Sequence, residues 1–290
     1  MKKYLNLKVF VGLLAITLFS NFSFTSTTSD GPQYASAKTK EVIQKMIMAH
    51  GGMEKWKKVK TFGFDNIMYN VLAKPPANPW WVSKVMVNSA DKTVYQDWPV
   101  HRSTLAYDGQ KVWSTGWKLG NAPKFETHFF YYFLNLPWLT QEKEVKLGEV
   151  KEVTIDKFPN PLYAIEMTYA KAPKAVGKTK LDSYKLYIDS KTYRLIAYEY
   201  SIGYGYMLDL FKLPKEKKVF GPMFRINAQF TEVDGLVFPR QMYTMNTTMT
   251  QTYGQHLIMN YRLNEKFDKN RLKMPTNAKV DQSSHLRKTK

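Results

Sequence analysis

The feature that most constrains the fold is a long series of short alternating segments joined by turns. Asp108-Gly109 lies between Leu105 and Val112, and Asp234-Gly235 comes just before Val237. An Asp-Gly pair flanked by alternating apolar residues is the strongest short-range hairpin signal, because glycine tolerates a positive φ. Helical crossovers of roughly 10 to 15 residues, which parallel sheets need, do not alternate with these segments. The sequence therefore predicts antiparallel pairing and disfavours a parallel α/β fold.

The alternation predicts about eleven strands between Thr61 and Leu263, with two or three helices. Apolar residues at helix spacing predict a first helix from Thr39 that ends at Gly51-Gly52. A short turn over 53–59 carries Trp56, which we expect to pack onto whatever lies beneath it. The sequence FETHFFYYFLNLPWL at 125–139 predicts a nearly all-apolar helix. A meander with one polar face curls around its apolar face, giving a barrel, a half-barrel or a sandwich.

The N-terminus has the pattern of a secretory signal peptide. Three lysines precede an apolar run from Val9 to Phe19, and a polar stretch of small residues follows it. We assign residues 1–28 to this peptide, with cleavage between Ser23 and Ser29. No apolar run reaches the roughly 18 to 20 residues of a spanning helix. The chain has no cysteine, which excludes a lipid-modified cysteine, a disulfide framework and a thiolate metal site. The mature protein is expected to be exported, periplasmic or secreted, and soluble.

The remaining chain is predicted to form one domain over 38–275, after a linker over 29–37. Residues 276–290 have no apolar periodicity and predict a basic disordered tail. The full chain holds 43 Lys and Arg against 24 Asp and Glu, a net charge of +19, and loss of the three signal-peptide lysines leaves +16. Such a charge favours polyanions and anionic membrane surfaces. Export makes nucleic acid a poor candidate partner.

Nothing in the sequence predicts catalysis, a metal site or a cofactor. The five histidines are isolated, without H-x-x-x-H or H-x-E pairing, and there is no G-x-S-x-G and no Gly-rich phosphate loop. Most carboxylates fall at turns or on polar strand faces. A glycosidase pair stays open, since two carboxylates can meet in space. We therefore expect a protein that is not an enzyme.

The composition is rich in aromatic residues and methionine, with 17 Phe, 19 Tyr, 7 Trp and 14 Met. A curled sheet lined with such groups and capped by helices forms an apolar cavity. Methionine suits a cavity that accepts chains of variable shape. The alternative is that these residues fill a solid core, and their spacing does not decide between the two.

Four segments carry a family resemblance. They are VIQKMIMAHGGMEKW at 42–56, YDGQKVW at 107–113, LYIDSKTYRLIAYEY at 186–200 and DGLVFPRQM at 234–242. Together they resemble the periplasmic LolA/LolB-like lipoprotein carriers, and most of all their outer-membrane lipoprotein-sorting-like relatives. The resemblance implies an unclosed barrel of about eleven antiparallel strands, with helices capping a hydrophobic cavity that shields acyl chains. No ligand residue of the family matches this chain by position.

The resemblance and the composition together give the functional expectations. We expect an exported protein that binds a lipid, or the acyl chains of a lipoprotein, in an apolar cavity as carrier or sensor. The first alternative is a docking module whose basic surface binds anionic lipid or an envelope polymer, and the second is an exported hydrolase. The expected lid or wall residues are Phe129, Phe130, Phe133 and Trp138, and those at the mouth are Trp80 and Trp81.

Overall fold

The computed structural model describes residues 31–284 and Arg287. The signal peptide expected at 1–28 lies outside the described residues, as do the first two residues of the expected linker. The rest of that linker is partly structured. Gln33 and Tyr34 pair in parallel with Lys146 and Leu147, and the first helix begins at Ala37.

The described residues form mainly β structure with four α-helices. The strands are β1 (Gln33–Tyr34), β2 (Thr61–Asn70), β3 (Trp80–Asn88), β4 (Val94–Trp98), β5 (Ser103–Tyr107), β6 (Val112–Thr115), β7 (Val145–Leu147), β8 (Lys151–Val153), β9 (Leu162–Tyr169), β10 (Ser183–Asp189), β11 (Leu195–Ile202), β12 (Phe220–Val233), β13 (Leu236–Met245), β14 (Thr252–Leu263) and β15 (Lys279–Val280). The helices are α1 (Ala37–Ala49), α2 (Met53–Trp56), α3 (Pro123–Leu139) and α4 (Gly205–Leu210), with 3-10 turns at Pro99–His101 and Lys269–Leu272.

All of these strands belong to one sheet. Its order is β1-β7-β9-β10-β11-β12-β13-β14-β2-β3-β4-β5-β6-β15, with β8 added beside β9. The two end strands, β1 and β15, do not pair with each other, so the sheet curls without closing. This confirms the expected fold class, a single curled sheet in an unclosed barrel, antiparallel except for the β1–β7 pair. The number of strands exceeds eleven because short pieces such as β1, β8 and β15 have no alternation to reveal them.

Both Asp-Gly pairs form the hairpin turns that the sequence predicts. Asp234 and Gly235 have φ values of 53° and 72°, two successive positive angles that suit the twist of a hairpin. Gly51, at the end of α1, lies against this turn. A Cβ on Gly51 would stand 2.1 Å from the Gly235 carbonyl oxygen, so the close approach requires glycine.

Helices α1, α2 and α3 lie where the sequence predicts them, whereas α4 lies in a segment for which the sequence predicts no helix. Ser36 caps α1 by accepting a hydrogen bond from the Thr39 backbone N–H at 3.3 Å. Helix α3 starts at Pro123, a favoured first helical position. It continues through Pro137, so this second proline does not end the helix. Fourteen of its seventeen residues are buried, because the curled sheet wraps around it.

The core divides between the two faces of the sheet. The larger cluster fills the concave face, where α1 and α3 pack on alternate residues of the strands. A smaller cluster lies on the convex face, around Leu162, Tyr187 and Phe224. The concave face is therefore the place where the chain brings most of its aromatic rings together.

The expectation of a disordered tail from residue 276 is wrong for 276–284 and Arg287. Strand β15 pairs with β6, and the Asp281 carboxylate accepts from the Lys124 backbone N–H at 2.7 Å. Arg287 Nε lies 3.0 Å from an Asp209 carboxylate oxygen. These contacts join residues far apart in the chain, which apolar periodicity cannot reveal.

Candidate functional site

Helix α3 occupies the concave face with its aromatic side chains. Phe129 stands at ring-centroid distances of 4.5 Å from Phe133 and 5.5 Å from Phe130, and Phe133 lies 4.8 Å from Tyr200 of β11. Three of the six predicted ligand residues therefore meet in one aromatic group. Trp138, the fourth on α3, belongs to a separate group at the other end of the helix.

The Trp138 end of α3 is an apolar anchor. Trp138 stacks on Trp56 at 4.7 Å and 14°, and its ring stands 6.0 Å from His50, edge to face. Both His50 ring nitrogens are used, since Nδ1 lies 2.9 Å from the Val237 carbonyl oxygen and Nε2 accepts from the Leu195 N–H at 3.1 Å. Burial lowers the His50 pKa to about 4, so this imidazole is neutral at pH 7.

The other end of α3 covers buried polar side chains. Arg225 of β12 is 2% exposed, and its guanidinium carbon lies 4.2 Å from the Phe133 ring centroid and 5.4 Å from that of Phe130. The Arg225 Nε and Nη1 groups and the Tyr198 hydroxyl, although buried, make no hydrogen bond of normal geometry. Buried polar atoms without partners are uncommon, and each calls for an explanation.

Two further titratable groups lie near Arg225. Burial raises the pKa of Glu126 to about 8, against the smaller opposing effect of the Arg225 charge. The Asn121 amide donates to the Glu126 carboxyl. Burial lowers the pKa of His256 well below its usual value, and the Arg225 charge lowers it further. At pH 7 Arg225 is thus surrounded by a neutral carboxyl and a neutral imidazole.

Two clefts flank this end of α3. One holds about 260 Å³ between Phe125, Phe129 and Phe133 of α3 and Tyr184 and Tyr200 of the sheet. The other holds about 200 Å³ beside Glu126 and Phe130. These volumes include open solvent, and neither cleft encloses space even for a water molecule, whereas ligand pockets hold roughly 300 to 1,000 Å³. In the described part of the chain, α3 fills the space where the sequence predicts an apolar cavity.

The predicted mouth residues lie at one rim of the sheet. Trp80 is exposed, with its ring 5.0 Å from Tyr69. Trp81 is half-buried, and its ring stands 6.2 Å from His101. Because side chains alternate along a strand, Trp81 shares the concave face with Ser83 and Trp80 points to the convex face. The structure therefore does not bring Trp80 and Trp81 together with the α3 rings.

Strand register identifies the segments of this rim. Tyr69 pairs with Trp80, Met245 with Thr252, and Ile202 with Phe220, so the connections beyond these pairs emerge at the same end. We call the following segments together the apolar rim: 71–79, 99–102, 116–122, 170–182, 203–219 and 246–251. The larger cleft opens here, since Gly177 and Asp182 also line it.

Exposed apolar side chains are concentrated at the apolar rim. Ten large apolar residues of the described chain are well exposed, and all but Met48 and Met274 lie on the rim or next to it. The eight are Tyr69, Val71, Leu72, Trp80, Val100, Leu181, Leu210 and Phe211. The rim segments also contain eleven Lys or Arg against three carboxylates. Only part of this charge is exposed, because Lys178 forms a buried ion pair with Asp182 at 2.8 Å.

Comparison with known proteins relates the architecture to solved structures. A DUF1329 family protein from Desulfovibrio piger matches with a TM-score of 0.50 and 13% identity, over 82% of this chain and 98% of that one. A LolA superfamily protein from Nitrosomonas europaea matches at 0.48 and 10%, over 80% and 96%. An outer-membrane lipoprotein-sorting domain from Vibrio parahaemolyticus matches at 0.45 and 10%, over 81% and 96%.

At a TM-score of 0.50 the DUF1329 family protein shares its fold with this chain, and an identity of 13% shows the fold alone. The names of the other two proteins agree with the resemblance found in the sequence. No protein-family model matches the chain, and no curated protein matches it. Within the described residues, no group of His, Asp and Glu is placed to hold a metal ion. Nor does any described helix have the length and hydropathy to cross a bilayer.

Sequence reasoning missed the polar residues of the concave face. Arg225 sits between Phe224 and Ile226 in an alternating strand, where a charge is usually a solvated residue. Glu126 could have been found from the sequence, because it is a carboxylate within a segment that is otherwise mostly aromatic. A carboxylate buried in such a helix needs a partner, which indicates a polar group nearby. His256 has no distinguishing neighbour in the sequence, and only the fold brings it beside Phe130, at 5.1 Å between ring centroids.

Proposed function

We propose that the protein binds the acyl chains of a lipid or lipoprotein on its concave face, as a non-catalytic carrier or sensor in the cell envelope. The observation that carries this proposal is α3, a buried aromatic helix lying within an open, curled sheet. A sheet that does not close leaves its apolar face available to a different occupant. In this proposal a ligand takes the place that α3 side chains hold in the empty protein.

The free energy gained by burying an acyl chain and the free energy lost by exposing the α3 rings are of similar size. An acyl chain of about fourteen methylenes gains roughly 11 kcal/mol on leaving water, at about 0.8 kcal/mol per methylene. Displacing Phe129, Phe130 and Phe133 into water costs about 1.5 to 3 kcal/mol for each ring. Displacing the rings therefore offsets about half or more of the gain, which weakens binding and allows release. The larger cleft, between α3 and the ends of β10 and β11, supplies the starting point for this exchange.

The first test is native mass spectrometry of the purified mature protein, followed by organic extraction and lipid analysis. We expect a bound fatty acid, phospholipid or acylated peptide, or stoichiometric uptake of a fluorescent fatty acid by the empty protein. A clean mass combined with no uptake at micromolar concentrations overturns the proposal.

Movement of α3 can be followed with a single dye. Because the chain has no cysteine, Phe129→Cys gives one labelling position beside the larger cleft. We expect the fluorescence of an environment-sensitive dye there to change on fatty-acid addition. The matched control is Lys45→Cys, an exposed position on α1, where no change is expected. Equal changes at both positions would contradict displacement of α3.

A second candidate function is docking to an anionic lipid surface, and the apolar rim favours it. Exposed tryptophan and tyrosine side chains prefer the membrane interface, and nearby lysines add attraction to anionic lipid. Trp80, Tyr69 and Leu72 form an exposed apolar group at the β2–β3 turn, which carries Lys74 and no carboxylate. Docking is compatible with acyl-chain binding, because the larger cleft opens at the same rim.

Vesicle sedimentation tests this candidate. We expect binding to vesicles with anionic phospholipid, weaker binding to neutral vesicles, and loss of binding at high salt. The double variant Leu72→Ser, Trp80→Ser should bind at least several-fold more weakly. Met48→Ser is the matched control, since Met48 is 70% exposed but lies away from the rim. Equal loss in both variants would contradict docking through the apolar rim.

A further inference from the structure

The Arg225 side chain is a buried cation on the ligand-binding side of the sheet. Its guanidinium lies against the faces of Phe133 and Phe130, and its carbon stands 5.6 Å from the Tyr200 ring centroid. Phe133 and Tyr200 also line the larger cleft. A molecule in this cleft therefore contacts Phe133 and Tyr200, two of the three rings that lie against the guanidinium.

Arg225 has no counterion of its own. Among the described residues, none of the ion pairs includes it. Glu126 is the carboxyl whose pKa responds to the Arg225 charge, yet burial raises that pKa to about 8. Glu126 is therefore mainly protonated at pH 7 and offers little negative charge. His256, on the same side, is neutral as well.

Aromatic contacts do not replace a counterion. A desolvated cation–π contact contributes about 2 kcal/mol, whereas removing an ion from water still costs several kcal/mol after relaxation. The guanidinium nitrogens Nε and Nη1 remain without acceptors. The Tyr198 hydroxyl lies close enough to Arg225 to interact with it but makes no hydrogen bond of normal geometry. An oxyanion that accepts from one edge of the guanidinium, formed by Nη2 with either Nε or Nη1, would satisfy one of these nitrogens and supply the missing counterion.

We propose that Arg225 and Tyr198 bind the negatively charged head group of the ligand. The ligand class is a long-chain lipid with a single oxyanion head, a fatty acid or a monoacyl phosphate, and its chain occupies the space of Phe130 and Phe133. This inference rests on the proposed acyl-chain function. It implies that a neutral acyl group of the same length binds less well.

Three probes of equal chain length test the head group: hexadecanoic acid, hexadecyl phosphate and hexadecanol, each displacing a neutral fluorescent lipid. We expect the better anionic probe to bind about 10-fold more tightly than the alcohol, a difference of about 1.4 kcal/mol. Whichever anion binds more tightly identifies the oxyanion. Arg225→Met should remove the preference, so that the anionic probes and hexadecanol bind equally to the variant, while Arg225→Lys should retain part of it.

Tyr198→Phe provides an independent variant, expected to reduce the preference several-fold without removing a charge. Thermal unfolding of each variant checks that it is folded. Equal binding of anions and alcohol by the wild-type protein overturns the head-group assignment and leaves acyl-chain binding standing. Retained preference in folded Arg225→Met also overturns it. Binding of none of the three probes overturns the proposed function and this inference together.

Discussion

Both ends of α3 are largely buried, but they differ in what they cover. At the Trp138 end, an aromatic stack on Trp56 accompanies His50, whose two ring nitrogens both have backbone partners. At the Phe130 end, the helix covers Arg225 and Tyr198, which retain polar atoms without partners. Burial alone therefore does not distinguish a structural contact from a binding site. An unpaired charge does, since the Trp138 indole N–H also lacks an acceptor but is neutral, and a buried charge without a partner costs far more than a buried neutral group.

The largest expected effect is at the anchored end. Trp138→Ala should lower the free energy of unfolding by about 3 to 5 kcal/mol, since it removes a buried ring and leaves a cavity beside Trp56. Phe129→Ala should cost less, because Phe129 is only partly buried at the cleft. Denaturant unfolding of both variants at pH 7 measures the difference. Equal losses would show that the two ends are equally important for stability.

The next effect is a loss of stability at the Arg225 end as the pH rises. The native pKa of Glu126, about 8, lies above its ordinary value of 4.5. Between these values the native state holds a proton that the unfolded state lacks, so stability falls as pH rises from 4.5 to 8. The loss approaches about 1.4 kcal/mol per pH unit. Glu126→Gln should remove this contribution, and unfolding midpoints from pH 5 to 9 test it. An unchanged slope in the variant would show that Glu126 is ionised in the native state.

Acid should act on the opposite end. Burial lowers the His50 pKa from 6.5 to about 4. Between these pH values the unfolded state binds a proton that the native state does not, so stability decreases as the pH is lowered. His128 and His256 have lowered pKa values too, and the wild-type decline includes them. His50→Gln should reduce the slope from pH 6.5 to 5 by about 1.4 kcal/mol per unit at most. If the wild-type protein and His50→Gln show the same dependence of unfolding free energy on pH, protonation of His50 does not contribute to the loss of stability in acid.

The same contrast explains how much of the molecule the sequence predicts. The hairpins at Asp108-Gly109 and Asp234-Gly235 and the aromatic helix over 125–139 follow from local chemistry, and the structure confirms them. Packing of Trp56 onto another element was also expected, although its partner Trp138 was not. Local signals are sufficient here because turn geometry and helix periodicity are decided by neighbouring residues.

The Arg225 site could not be predicted in the same way. The alternation of β12 places Arg225 on one face and Phe224 on the other, but it does not tell which face the rest of the chain covers. That decision belongs to α3, about ninety residues earlier in the sequence. The predicted residues Phe130 and Phe133 thus lie at the site, while the charged group beneath them depends on tertiary packing.

The smallest expected effect on stability, and the sharpest test of the comparison, is Arg225→Met. A buried cation without a counterion contributes desolvation cost more than attraction, so an apolar side chain of similar volume removes that cost. Even replacement of a complete buried ion pair by apolar groups is often neutral or stabilising. Glu126 is protonated at pH 6, so the substitution leaves no unpaired carboxylate behind. We expect the free energy of unfolding at pH 6 to be unchanged or higher by about 1 kcal/mol, measured by denaturant unfolding.

Arg262→Met is the matched control, because Arg262 pairs with Asp65 at 2.9 Å and its loss should destabilise. If Arg225→Met lowered the free energy of unfolding by several kcal/mol, Arg225 would stabilise the fold as Trp138 does, and its unpaired charge would not indicate a ligand site.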